Sequence, residues 1–295
     1  MSKALKPMSK DSKPMNTFSN PFVVACQLIS AGIISLCCQS ANAQFFTENF
    51  NYSAGPLGGN VNPSTGNAWS GGNTYLAVGT SQLTYAGLQE ASGNDLVYTP
   101  GGSDNDDNNF ATAVTSGSVY YSFLIDCTTA PTLNTYFSAL NAASVNPGGS
   151  GDLLSMYAGA SGTGWKVGVR TTGGGSGAQF SGALTLNTTY LVVGELTLGS
   201  APVANLFVDP TPGASQPTAT ATESTSTAIN SVDDVGFKSS SASSGQGDFL
   251  FSDLEIGTTW ASVTPATVPE PNTLVLLGSG MVLLQMARRR LQKRA

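Results

Sequence analysis

The chain has 295 residues, 10% of them charged and 40% apolar, with 34 glycines and a formal net charge of −6. So little charge beside so much apolar surface excludes a disordered chain, and the lack of any histidine excludes Ser-His-Asp and Cys-His catalysis and the usual zinc sites. The ends are basic, but residues 44–267 hold 3 basic side chains, Lys166, Arg170 and Lys238, against 16 acidic ones, a balance that repels phosphate backbones and excludes nucleic acid as a partner.

Four lysines within residues 1–20, an apolar run from Phe22 to Cys38 and Ala41-Asn42-Ala43 before Gln44 form the three regions of a secretory signal peptide. Residues 1–43 are expected to be removed by signal peptidase, whose shallow pockets take the small side chains of Ala41 and Ala43. Leu36 before Cys37 disfavours a lipoprotein, and Met8 or Met15 are alternative starts. Cys26, Cys37 and Cys38 leave with this segment, so the mature chain keeps Cys127, which its apolar surroundings predict to be buried or at a strand end and unreactive.

From residue 44 to 264 the pattern is short apolar segments separated by Gly and Pro. Val119, Tyr121, Phe123 and Ile125 fall on one face of a strand. Further strands are predicted at Leu133–Leu140, Leu153–Tyr157, Trp165–Val169, Tyr190–Leu198, Val203–Val208, Val232–Phe237 and Phe249–Ile256. With no helical period of useful length, this predicts an all-β domain, an antiparallel two-sheet β-sandwich in which each sheet covers the other's apolar face. Pro210–Thr227, rich in Thr, Ser, Ala and Pro, is expected to be a solvent-exposed insertion, and Gly173–Gly177 a flexible turn.

Candidate chemistry is sparse. Asp104-Asn105-Asp106-Asp107-Asn108-Asn109 places six oxygen-bearing side chains in one predicted loop. Asp104, Asp106 and Asp107 are therefore the candidate ligands for calcium, although the segment lacks the Gly and terminal Glu of an EF-hand and also reads as a plain hydrated loop. Calcium is the one candidate cofactor. Trp69 and Trp165 read first as core and second as platforms for a sugar ring. Asp253 and Glu255 stand two apart on a predicted strand, on one face opposite Leu250, Leu254 and Ile256, and read as a solvated strand face. No catalytic residue is assigned and no enzymatic activity is expected.

Residues 265–295 form a tail. Pro269-Glu270-Pro271 is followed by an apolar stretch from Thr273 to Ala287 and by Arg288-Arg289-Arg290. Its 15 residues fall short of the roughly 20 that span a bilayer comfortably, but a single transmembrane sorting helix is feasible if the arginines snorkel. The positive-inside rule then puts the arginines in the cytoplasm. The two prolines hold Glu270 extended, as a peptide must lie in a protease-like cleft.

Val268-Pro269-Glu270-Pro271, the helix and the arginine cluster resemble the tail of PEP-CTERM proteins. That resemblance implies recognition by an exosortase, a Gram-negative host making exopolysaccharide, and transient inner-membrane anchoring before delivery to the cell envelope, outer surface or extracellular matrix. Asn49–Gly55, Thr189–Val193 and Phe251–Trp260 resemble pieces of the concanavalin-like jelly rolls, which implies that topology for the sandwich. In jelly-roll glycosidases a further Glu stands where this chain has Phe251, so the resemblance argues against catalysis by Asp253 and Glu255. The expected function is that of a structural or interaction protein of the envelope or matrix. The alternatives are an adhesin binding extracellular polysaccharide, with calcium assisting, and a secreted glycosidase.

Overall fold

The computed structural model describes residues 44–142, 152–171 and 177–267. The predicted signal peptide (1–43), including Ala41 and Ala43, lies outside the described residues. So do the sorting residues Pro269, Glu270, Pro271, Arg288, Arg289 and Arg290, and most of the Gly173–Gly177 turn. Among the described residues no helix is long and apolar enough to cross a membrane.

In chain order the strands are β1 (Gln44–Glu48), β2 (Gly55–Pro56), β3 (Leu76–Val78), β4 (Leu96–Tyr98) and β5 (Asp104–Val114). There follow β6 (Ser118–Thr129), β7 (Thr135–Asn141), β8 (Asp152–Ser161), β9 (Gly164–Thr171) and β10 (Gln179–Phe180). The last are β11 (Thr189–Thr197), β12 (Val203–Val208), β13 (Ala221–Ser224), β14 (Val232–Ser239) and β15 (Asp248–Gly257), and a single-turn helix, α1 (Trp260–Val263), comes after them.

These strands form two antiparallel sheets. One runs β13-β12-β11-β6-β15-β4-β3-β2, with β1 beside β15; the other runs β10-β9-β8-β7-β14-β5. The fold is all-β. Alternation in the sequence explains the packing: Val119, Tyr121, Phe123 and Ile125 of β6 all enter the core, as the sequence predicts. They meet Val167 and Val169 of β9 and Val235 and Phe237 of β14 in one cluster between the sheets. Phe251 of the first sheet lies 5.3 Å from Phe137 and 5.4 Å from Phe237 of the second, ring centre to ring centre. Each buried aromatic of this kind contributes on the order of 2–3 kcal/mol.

A second cluster covers the other side of the first sheet. There Leu124, Leu191, Val193 and Phe207 pack under Leu83, Leu88, Trp260 and Val263. Among the described residues no such apolar cluster lies on the outer face of the β10–β5 sheet, where Tyr136, Tyr157 and Phe180 are half-buried and Asn141 and Asp234 are fully buried.

One expectation is qualified and one corrected. Pro210–Thr227 is largely exposed, as expected, but it is tied into the sandwich: it contains β13, its Gln216 donates to the buried Glu195 at 2.8 Å, and its Ala214 carbonyl accepts the Trp260 indole N–H at 2.9 Å. Leu250, Leu254 and Ile256 do not share a face. Pairing of β15 with β6 skips between Ser252 and Glu255, and Asp253 sits at φ +53° in the left-handed region. This bulge adds one residue and inverts the alternation, so Leu250 packs against the second cluster while Leu254 and Ile256 enter the first.

Candidate functional site

The outer face of the β10–β5 sheet follows from register. On β9, Trp165, Val167 and Val169 point into the core, so Lys166, Gly168 and Arg170 point out. Tyr157 is paired with Gly168 and Tyr136 with Tyr157, which puts both tyrosines on the same face. Lys238 of β14 joins them, its ammonium 5.3 Å from the centre of the Tyr136 ring.

A continuous row results. The Tyr136 and Tyr157 rings meet edge to face at 5.8 Å, and Arg170 Nη1 donates to the Tyr157 hydroxyl at 3.5 Å. Beyond them Lys166 Nζ stands 4.4 Å from the centre of the Phe180 ring. Phe180 lies against Gly168, where a Cβ would come within 2.6 Å of the ring; glycine is needed there for this close approach. With strands about 4.8 Å apart, the row from β14 to β10 runs for roughly 20 Å. All six side chains are half-buried, holding their stems against the sheet and their polar ends toward water. Burial and the nearby carboxylate of Asp152 and hydroxyl of Tyr157 push the Tyr136 hydroxyl above its ordinary range, so it stays a donor.

Acidic groups occupy the β14–β5 end of this face. Asn141 donates to Asp234 at 3.0 Å. Burial first, with Asp107 and Asp233 adding repulsion, pushes the Asp234 carboxyl up to about 8 against the Asn141 hydrogen bond. Asp107 is held by the Ser70 hydroxyl, which in turn accepts the Asp107 amide at 2.9 Å.

The residues singled out in the sequence fall elsewhere. Asp104–Asn109 is part of strand β5, not a loop, so its side chains alternate: Asp104, Asp106 and Asn108 point inward and Asp107 points out. Alternation thus separates Asp107 from the other two carboxylates. No group of three or more Cys, Asp or Glu among the described residues is placed to hold a metal ion. Asp106 is fully buried beneath the β2–β3 loop, with the Gly58 and Gly72 amides facing its carboxyl. Burial, then Asp104, pushes it up to about 8, and the Gly58 and Gly72 amides offset part of that rise.

Trp69 and Trp165 are core residues, 2% and 0% exposed, and present no face to a sugar. Trp69 donates its indole N–H to Glu48 at 2.7 Å, and Trp165 donates to the Thr185 carbonyl at 3.3 Å. Asp253 and Glu255 are not a solvated face either, being only 5% and 8% exposed. The Asp253 carboxyl accepts the Ala91 amide at 3.2 Å and is raised to about 6 by burial, with Glu90 adding to the rise. Burial, then Asp253, raises Glu255 to about 8, while the Gln44 side chain lowers it. Gln44 is the first residue of β1.

Sequence reasoning missed Tyr136, Tyr157, Phe180, Lys166, Arg170 and Lys238 as a group. One signal pointed to them: the only three cations between residues 44 and 267 lie in or beside predicted strands, at positions alternate to core residues.

Comparison with known proteins adds the address. The family model described as the PEP-CTERM protein-sorting motif matches residues 267–290. The chain carries a PEP-CTERM sorting motif. Such a motif belongs to an exported protein processed by an exosortase. No curated protein matches the sequence. Among solved structures, the globular domain of T. cruzi calreticulin is similar at 13% identity and a TM-score of 0.43, covering 75% of this chain and 90% of its own. The endo-β-1,4-glucuronan lyase of the fungus Trichoderma reesei matches at 12% identity and 0.43, covering 75% and 98%. The carbohydrate recognition domain of Emp47p matches at 9% identity and 0.41, covering 74% and 98%.

Proposed function

We propose that this is a non-catalytic envelope or matrix protein of a Gram-negative bacterium that binds polysaccharide through the outer face of the β10–β5 sheet. The carrying observation is that Tyr136, Tyr157 and Phe180 point outward, half-buried, from a sheet face on which the described residues form no apolar cluster over them. Aromatic rings offer flat apolar area to the C–H faces of sugars while neighbouring polar groups take the hydroxyls. Burial of Asp253 and Glu255 supports binding over hydrolysis, because a glycosidic bond cannot reach carboxyls enclosed in this way.

A glycan array probed with the protein purified from its host tests the binding. Glycan binding that is lost in Tyr157→Ala and Phe180→Ala supports the reading, and no binding to any glycan overturns it. Delivery is tested separately, by intact mass and fractionation of wild type against Pro269→Ala/Glu270→Ala. Loss of residues 1–43 and of the tail in wild type, with the variant retained in the inner membrane, is the expected outcome; identical masses and fractions would reduce the tail to an ordinary anchor.

A further inference from the structure

We infer that the bound sugar is acidic: the outer face of β7–β10 and β14 takes a polysaccharide bearing carboxylates, held by Lys166, Arg170 and Lys238. The inference rests on the reading of this face as a carbohydrate site. Its own support is the distribution of charge, which the aromatic row does not determine.

Between residues 44 and 267 there are 16 acidic side chains and 3 basic ones. All three basic ones are on this face, Lys166 and Arg170 two residues apart on β9 and Lys238 across from them on β14. Each is set beside an aromatic ring: Lys166 by Phe180, Arg170 by Tyr157 and Lys238 by Tyr136. A neutral sugar would take only ordinary hydrogen bonds from those cations, whereas a carboxylate would take the stronger charge-assisted ones. A polymer with one carboxylate per sugar would find a cation at both ends of the row and a tyrosine between.

The same face carries the carboxylates Asp107, Asp152 and Asp234. Asp234, raised to about 8, is protonated at neutral pH and adds no repulsion there. Asp107 lies at the β5 edge, remote in strand order from β9. Asp152 stands on β8 near Tyr136, so acceptors occupy the middle and the Asp107 end of the face: carboxylates of the ligand seat at Lys166, at the far end of the row, and hydroxyls toward Asp152 and Asp107. Arg170, which donates to the Tyr157 hydroxyl, adds positive charge beside this seat. The acidic surface elsewhere does not prevent this. At about 0.1 M salt the Debye length is about 10 Å, so distant charges are screened and the local cations decide.

The test is affinity electrophoresis of the protein purified from its host, in gels containing polygalacturonate, alginate, a neutral β-glucan or single-stranded DNA. The variants are Lys166→Gln/Lys238→Gln and Tyr157→Ala, with thermal unfolding as the fold control. The expected result is retardation by a polyuronate, weaker retardation by the neutral glucan and none by DNA. The double Lys variant should lose at least tenfold in affinity for the polyuronate with its Tm unchanged. Equal affinity for neutral and acidic polymers, or a double variant that binds as wild type does, overturns the acidic ligand while leaving the carbohydrate site standing. Equal retardation by DNA also overturns it, since the face would then bind any polyanion. Failure to bind every polysaccharide overturns both readings together.

Discussion

The Glu48 carboxylate accepts the Trp69 indole N–H at 2.7 Å at the edge of the core, where both side chains are buried. Three further donors converge on it: the Phe50 amide at 2.7 Å, the Tyr52 hydroxyl at 2.7 Å and Asn62 Nδ2 at 2.9 Å. Four donors replace the water lost on burial, and they tie β1 to the loop that covers Asp106. Glu48→Gln keeps the volume but turns one acceptor into a donor facing donors. The expected loss is about 3 kcal/mol, a Tm lower by roughly 6–12 °C for a domain of this size. A calorimetric shift under 2 °C would show that the network contributes little.

Three other carboxyls have the opposite character. Asp106, Asp234 and Glu255 are each raised to about 8, with burial the first cause in every case. Between about pH 4 and pH 8 the folded form keeps protons that the unfolded chain has released, so stability is greatest at the acidic end and falls as pH rises through 8. The urea midpoint of the wild type is expected to drop from pH 5 to pH 8.5, and Asp106→Asn to flatten part of that drop. A midpoint that rises over this range would mean that these groups are ionised and paired.

The strands were legible because their patterns are local: β6 and β9 alternate about the core, and β11, buried on both faces, shows as a continuous apolar run. What was illegible depends on chains meeting. Six consecutive Asp and Asn residues read as a loop, yet they form a strand because the β2–β3 loop covers one side of it and β14 pairs along it. The Asp253 bulge is set by β15 pairing with β4 along one half of its edge and β1 along the other, which no window of sequence contains. Tyr136 and Tyr157, likewise, become neighbours only through the β7–β8 register.

Cys127 provides a chemical check on the core. Burial, followed by Asp126 and Asp248, pushes its thiol up to about 12, and its Sγ donates to the Thr129 carbonyl at 3.2 Å. Since the thiolate is the reactive form, a disulfide reagent such as DTNB is expected not to label the mature protein at pH 8 until denaturant unfolds it. Labelling within minutes in native buffer would mean that the β6 end opens readily.

Gly168 separates the sugar-binding face from the stability of the sheet. A Cβ there would stand 2.6 and 2.7 Å from two carbons of Phe180 and 2.9 Å from the Gln179 carbonyl. Gly168→Ala therefore displaces β10, which is only two residues long and lies at the sheet edge, so the damage stays local. The core side of β9, with Trp165, Val167 and Val169, is untouched. The expected cost is about 1–3 kcal/mol from overpacking, together with a severalfold weaker polysaccharide affinity as Phe180 leaves its place beside Lys166. Gly182→Ala is the matched control, for a Cβ there meets nothing within 4 Å. If both variants bind as wild type does, Phe180 is no part of the binding face; if only Gly168→Ala weakens binding while its thermal transition stays cooperative, the ring over β9 is a contact for the sugar.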